Sequence, residues 1–165
     1  MPCFRSFEAD LDNKEILLAD IDSQNNVCLI DGDHCLHMIN NKETKAKTAK
    51  LESKHHGVDL KWATKDLIFL LTSSNKMLFY KASSLQITQT IRTHRDHLVA
   101  HDITIINKEP SKSFMYILGC SQTKFWVLTL RFDDMSVIVE NKFVMSGIDH
   151  LKSISLLFVP FESNM

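Results

Sequence analysis

Leu67-Ile68-Phe69-Leu70-Leu71 and Met77-Leu78-Phe79-Tyr80, separated by a polar link containing Ser73-Ser74-Asn75, decide how this chain folds. Apolar runs of five and four residues are too short for buried helices and have the length of strands. Serine and asparagine reverse a chain readily, because their side chains hydrogen-bond to nearby backbone. The stretch therefore reads as two strands closed into an antiparallel hairpin.

Working outward, the same unit recurs. Val27 to Ile30, Phe114 to Leu118, Phe125 to Leu128 and Val137 to Val139 are further apolar runs of strand length. Asp31-Gly32-Asp33 and Cys120-Ser121-Gln122 punctuate them as Ser73-Ser74-Asn75 does. An all-β meander follows. Asn40 to Glu52 fits it least: Asn40 with Glu43 is a capping signal and the Ala/Lys/Glu content favours helix, yet its apolar stripe is too thin for a buried helix. A strand or irregular edge is expected over 41–52.

The 165 residues are 44% hydrophobic and 24% charged, with a net charge of -1, which excludes a disordered tail, a collagen and a coiled coil. No run approaches the ~18 apolar residues of a membrane-spanning helix. The start, Met-Pro-Cys-Phe-Arg-Ser-Phe-Glu, lacks the apolar core of a secretory signal. Four scattered cysteines (3, 28, 35, 120) do not form a disulfide framework, so an intracellular, reducing location is expected, cytoplasmic or nuclear. The charge balance supplies no global pull toward nucleic acid.

The hairpins also form a longer repeat. Leading strands align on Asp20-Ile21, Asp59-Leu60, Asp102-Ile103 and Ser153-Ile154, at intervals of 39, 43 and 51 residues. The first two match the roughly 40–45 residues of a four-stranded propeller blade, and the third needs an insertion near Asp133-Asp134 or Ser146-Gly147. Thr93-His94-Arg95-Asp96-His97-Leu98-Val99 resembles the Gly-His opening of a WD-repeat blade, with Thr93 in place of glycine. Val58 to Asp66, preceded by His55-His56, resembles a first strand ending at an aromatic residue, Trp62. The Trp-Asp dipeptide is replaced by Phe79-Tyr80-Lys81 and Trp126-Val127-Leu128. This resemblance to the WD-repeat β-propellers covers most of residues 15 to 160. It implies a degenerate partial propeller, all-β, whose blades lack the usual His-Ser/Thr-Asp-Trp hydrogen-bond set. The expected organisation is an N-terminal segment 1–14, blades at about 15–54, 55–93 and 94–146, and the start of a fourth at 147–165. The alternative is a small up-and-down β-barrel carrying an apolar ligand.

Few residues offer chemistry. If Gly32-Asp33 is a two-residue turn, Cys28 faces His37, and Cys28, Cys35 and His37 share one face where they could approach a zinc ion. Zinc-type spacing and a fourth ligand are absent, so packed thiols beside a hydrogen-bonded histidine are the preferred reading, with no metal and no cofactor. Eight histidines, including His94 and His97 around Asp96, come without a nucleophile elbow or paired carboxylates, and no glycine-rich phosphate loop is present. No enzyme is expected. The lysines at 42, 45, 47, 50 and 54 lack interleaved aromatics and read as a solvated edge. Phe125 and Trp126 should point to opposite faces, one of them into the core.

About seven blades make a common ring, so this chain is too short to close one alone. The resemblance implies a non-catalytic protein-interaction scaffold, a fragment or subunit of a larger assembly, with protein partners that include a chain completing the ring. Binding is expected across blade-connecting loops, through His55, His56, Arg92, His94, Arg95 and His97.

Overall fold

The computed structural model describes residues 14–42, 45–52, 56–93, 95–109, 112–133 and 136–147. All regular structure there is β: twelve strands in three separate four-stranded antiparallel sheets. Sheet 1 contains β1 (Ile16–Ile21), β2 (Val27–Asp31), β3 (Cys35–Ile39) and β4 (Lys47–Lys50). Sheet 2 contains β5 (Gly57–Thr64), β6 (Leu67–Thr72), β7 (Lys76–Lys81) and β8 (Gln86–Arg92). Sheet 3 contains β9 (Ala100–Glu109), β10 (Lys112–Cys120), β11 (Lys124–Asp133) and β12 (Ser136–Ser146). Within each sheet every strand pairs with its neighbour in sequence, as tight turns require. Three independent sheets overturn the alternative of one sealed barrel. The stretch 41–52 contains strand β4, not a helix.

The chain divides into two compact units, 1–92 and 93–165. In the first, sheets 1 and 2 pack through one apolar core. Cys28, Ile30, Leu36 and Met38 of sheet 1 meet Leu60, Trp62, Ile68, Leu70 and Leu78 of sheet 2. β6 is buried at all six positions, which is why Leu67 to Leu71 read as an unbroken apolar run rather than an alternation. In the second unit β11 alternates strictly, with Trp126, Leu128, Leu130 and Phe132 buried and Phe125 half-buried on the other face.

Two features repeat between sheets 1 and 2. The register of β1 on β2 shifts between Ile16 and Leu18, and that of β5 on β6 shifts between Gly57 and Asp59. The cross-strand partners put Asp20, Lys61 and Asp102 on one rung, opposite Cys28, Phe69 and Leu118. Both intervals are then 41 residues, so Asp59 belongs two positions earlier in the repeat than the sequence alignment placed it. The strands of sheet 3 are longer, nine to eleven residues each, while Asp134 and the residues after Gly147, where an insertion was expected, lie outside the described residues.

The β2–β3 turn also corrects the expected register. It has three residues, because His34 adopts a left-handed conformation (φ 58°) and its N–H donates to the Asp31 carbonyl at 2.9 Å. Cys28 therefore lies opposite Met38, and His37 opposite Leu29.

Candidate interaction surface at the strand turns

Each sheet closes its second and third strands with a buried oxygen-bearing side chain at the same place. In sheet 1, Asp31 Oδ1 accepts the N–H of Cys35 at 2.8 Å. In sheet 2, Thr72 Oγ1 accepts the N–H of Lys76 and donates to its carbonyl, both at 3.1 Å. In sheet 3, Ser121 Oγ accepts the N–H of Lys124 at 3.2 Å. All three side chains are fully or nearly fully buried. His34 and Asn75 take the same left-handed conformation in the first two turns, φ 58° and 57°. The segment entering each of the first two sheets is held in turn, with Gly32 N–H donating to the Glu15 carbonyl and Ser73 N–H to that of His56. A small polar side chain here satisfies backbone groups that would otherwise be stranded beside the core.

Sheet 1 extends this bonding into a chain. His37 Nε2 lies 2.8 Å from Asp31 Oδ2 and His37 Nδ1 lies 2.9 Å from Thr48 Oγ1. With Asp31 ionised, Nε2–H donates to the carboxylate, and Nδ1 shares a second hydrogen bond with the threonine hydroxyl. Lys14 Nζ stands 3.4 Å from Asp31 and 3.1 Å from Asp33. Burial by itself would raise the Asp31 carboxyl, but the Cys35 N–H, His37 and Lys14 together hold it down at about 2. Asp31, His37 and Thr48 thus join β2, β3 and β4 on one face of the sheet, and the order of their bonds is that of a structural clasp.

The expected zinc trio is not assembled. Cys28 points into the core between sheets 1 and 2, whereas Cys35 and His37 lie on the opposite face, because the three-residue turn moves the register by one. Burial, then the nearby Asp20 charge, pushes the Cys28 thiol up, as expected of a packed thiol and not of a ligand. Among the described residues no group of three His, Cys, Asp or Glu side chains is placed to hold a metal ion.

The anticipated partner-binding residues divide by position. His55 and His94 lie outside the described residues. His56 is exposed just before β5, and its ring meets that of His34 edge-to-face at 5.4 Å and 79°. Arg92, exposed, ends β8 opposite Lys76 and so stands at the same turn-bearing end of sheet 2 as His56. In the second unit Arg95 and His97 are exposed before β9, flanking Asp96, which pairs with Lys124 at 3.5 Å.

The sheets have known counterparts. The chain is similar to the WD40 domain of coronin from Toxoplasma gondii (TM-score 0.56, 10% identity, 79% of this chain and 35% of that one). It is similar also to BamB from Moraxella catarrhalis (TM-score 0.52, 13% identity, 76% of this chain and 35% of that one). The fold is that of β-propeller blades. A third similar structure is the computationally designed Ika4 protein (TM-score 0.56, 7% identity), of which 89% is covered by 94% of this chain. The chain spans about a third of the length of the coronin domain and of BamB. No protein-family model matches the sequence, and no curated protein matches it either.

In blade terms, the bonding roles that the sequence did not disclose are those of Asp31, Thr72 and Ser121, one per blade at the turn between second and third strands. The signal was available: each is a small polar residue ending an apolar run just before turn formers. The roles of His34, Thr48 and Lys14 were not legible because they depend on turn geometry and on cross-strand neighbours. The first blade has no Trp-Asp dipeptide, yet it carries its own aspartate-histidine-threonine bonding.

Proposed function

We propose that this chain is a non-catalytic protein–protein interaction scaffold, a segment or subunit of a larger propeller-containing assembly inside the cell, cytoplasmic or nuclear. The observation that carries the reading is the division of labour at the blade turns. The polar side chains best placed for chemistry, Asp31, His37, Thr72 and Ser121, are buried and engaged in holding strands together. The exposed groups around them, His56 and Arg92 on the second blade and Arg95 and His97 before the third, are positioned for recognition instead. Their basic character favours an acidic segment of a partner protein. Free thiols at Cys28, Cys35 and Cys120 support the reducing location. Resemblance to larger propellers supports a scaffold by analogy of fold.

The test is affinity capture of the full chain from cell extract, with cross-linking to map the contacted residues. Capture should fall when His56→Ala is combined with Arg92→Glu, or Arg95→Glu with His97→Ala, while the thermal transition is unchanged. Partners retained equally by both pairs of variants would defeat the assignment of the surface.

A further inference from the structure

His37 uses both ring nitrogens inside sheet 1, on Asp31 and Thr48. His34 and His56 do not. Among the described residues no hydrogen bond or ion pair engages the ring of either, yet the two rings lie together, with centroids 5.4 Å apart and planes inclined by 79°. They come from different sheets, His34 from the β2–β3 turn and His56 from the approach to β5. His34 is half-buried and His56 exposed, so solvent reaches the pair.

Both backbones are fixed. The His34 N–H donates to the Asp31 carbonyl and the His34 carbonyl accepts the Leu51 N–H, each at 2.9 Å. The His56 carbonyl accepts the Ser73 N–H, also at 2.9 Å. Only side-chain torsions remain to be set, which lowers the entropy lost when both rings close on one ligand.

That ligand is a metal ion of borderline softness. Neutral imidazole suits zinc, copper and nickel, whereas magnesium and calcium take oxygen. With a nitrogen–zinc bond of about 2.1 Å and a tetrahedral angle, two imidazoles on one ion have centroids about 5 Å apart, at any inclination of their planes. The spacing of this pair meets that condition. The described thiols of sheet 1 do not compete, because Cys28 is buried in the core and Cys35 lies on the other face. Lys14 and Lys50, the cations at this turn, are engaged by the Asp31 and Asp33 carboxylates and by the Asp33 carbonyl.

We infer that His34 and His56 form a two-histidine zinc site bridging sheets 1 and 2, with water in the remaining positions of the tetrahedron. The bridge ties the β2–β3 turn to the entry of β5. It needs no partner protein, so its test and the capture experiment fail separately.

Calorimetric titration of zinc into the full chain, held reduced by a non-chelating phosphine, should show a saturable site. His34→Asn preserves the turn, because asparagine accepts the left-handed conformation, as Asn75 does in the β6–β7 turn. His56→Ala alters an exposed side chain. Each should weaken zinc at least about tenfold, and the two together little more than either alone, since losing one arm already opens the chelate. His101→Gln on β9 should leave the affinity unchanged. Magnesium should give no heat. X-ray absorption on the wild-type zinc complex decides even where a variant misfolds: it should show at least two imidazoles, with nitrogen at about 2.0–2.1 Å, and no sulfur. No saturable binding up to about 1 mM zinc, an affinity indifferent to either variant, magnesium bound as tightly, or sulfur in the metal shell would each overturn the inference.

Discussion

The Asp20 carboxylate accepts the backbone N–H of Trp62 at 2.7 Å, tying the first strand of sheet 1 to the first strand of sheet 2. Both residues border the shared core, where Trp62 is buried. A charge-assisted bond to a partly buried donor is stronger than a neutral one, and removing its acceptor strands the donor. Asp20→Ala should therefore cost about 1.5–3 kcal/mol in denaturant unfolding. Asp22→Ala, which breaks only the hairpin contacts to Gln24 and Asn26, should cost less. Equal losses for the two would show that the link between sheets contributes nothing of its own.

Gly119 in β10 sits directly opposite Trp126 in β11, and a Cβ placed at 119 would overlap the indole ring. Trp126 is fully buried and has no room to withdraw. Gly119→Ala should destabilise the chain by about 1–3 kcal/mol, the usual cost of overpacking a filled core. Gly32→Ala is the counterpart with little effect, because the nearest atom to its added Cβ is that of Glu15 at 3.5 Å. Thermal melts of the two variants read the difference directly.

The strands were legible because their apolar runs are short and bounded by turn formers, and the four-stranded grouping followed from the repeat. Registers were not. The position of Cys28 depended on His34 entering the left-handed region, a choice of one residue's φ that composition does not announce. Asp59 was attractive as a repeat marker because it matches Asp20 and Asp102 in type, whereas the structural equivalent is Lys61, an offset that only the pairing of β5 with β6 reveals. The exposed histidines and arginines could be named but not grouped, since placing Arg92 beside His56 needs strand order. The pairing of Asp31, His37 and Thr48 was hidden for the same reason: three residues on three strands meet only once the register is fixed.

The cysteines should separate by reactivity. Cys28 and Cys120 are fully buried, and burial raises both thiols, so little thiolate exists and reagents cannot reach them. Cys35, at the mouth of the β2–β3 turn, is only half-buried. In the folded chain a maleimide should modify Cys35 within minutes and spare Cys28 and Cys120 until denaturant is added. Mass spectrometry of the labelled peptides resolves the sites. Rapid modification of Cys28 in the native state would contradict the packing between sheets 1 and 2.

The Asp31–His37 pair should govern stability in acid. Asp31 titrates at about 2 in the folded chain against an ordinary 3.8, because the Cys35 N–H, His37 and Lys14 outweigh its burial. A carboxylate with a depressed value binds protons more readily when unfolded, so unfolding is favoured as pH falls. Its contribution is complete above about pH 5, declines through the unfolded value near 4 and is gone below the folded value near 2, a loss of roughly 2 kcal/mol. Asp31→Asn should be less stable than wild type at neutral pH and should approach it near pH 2, with a shallower dependence between. His37→Ala should also destabilise, by about 1–3 kcal/mol, since it leaves a buried carboxylate with one partner fewer. It should move the acid transition to higher pH as well, because the folded carboxyl loses part of what holds it down. Urea titrations at several pH values supply both slopes, and a His37→Ala curve parallel to wild type through this window would mean that the histidine packs against Asp31 without stabilising its charge.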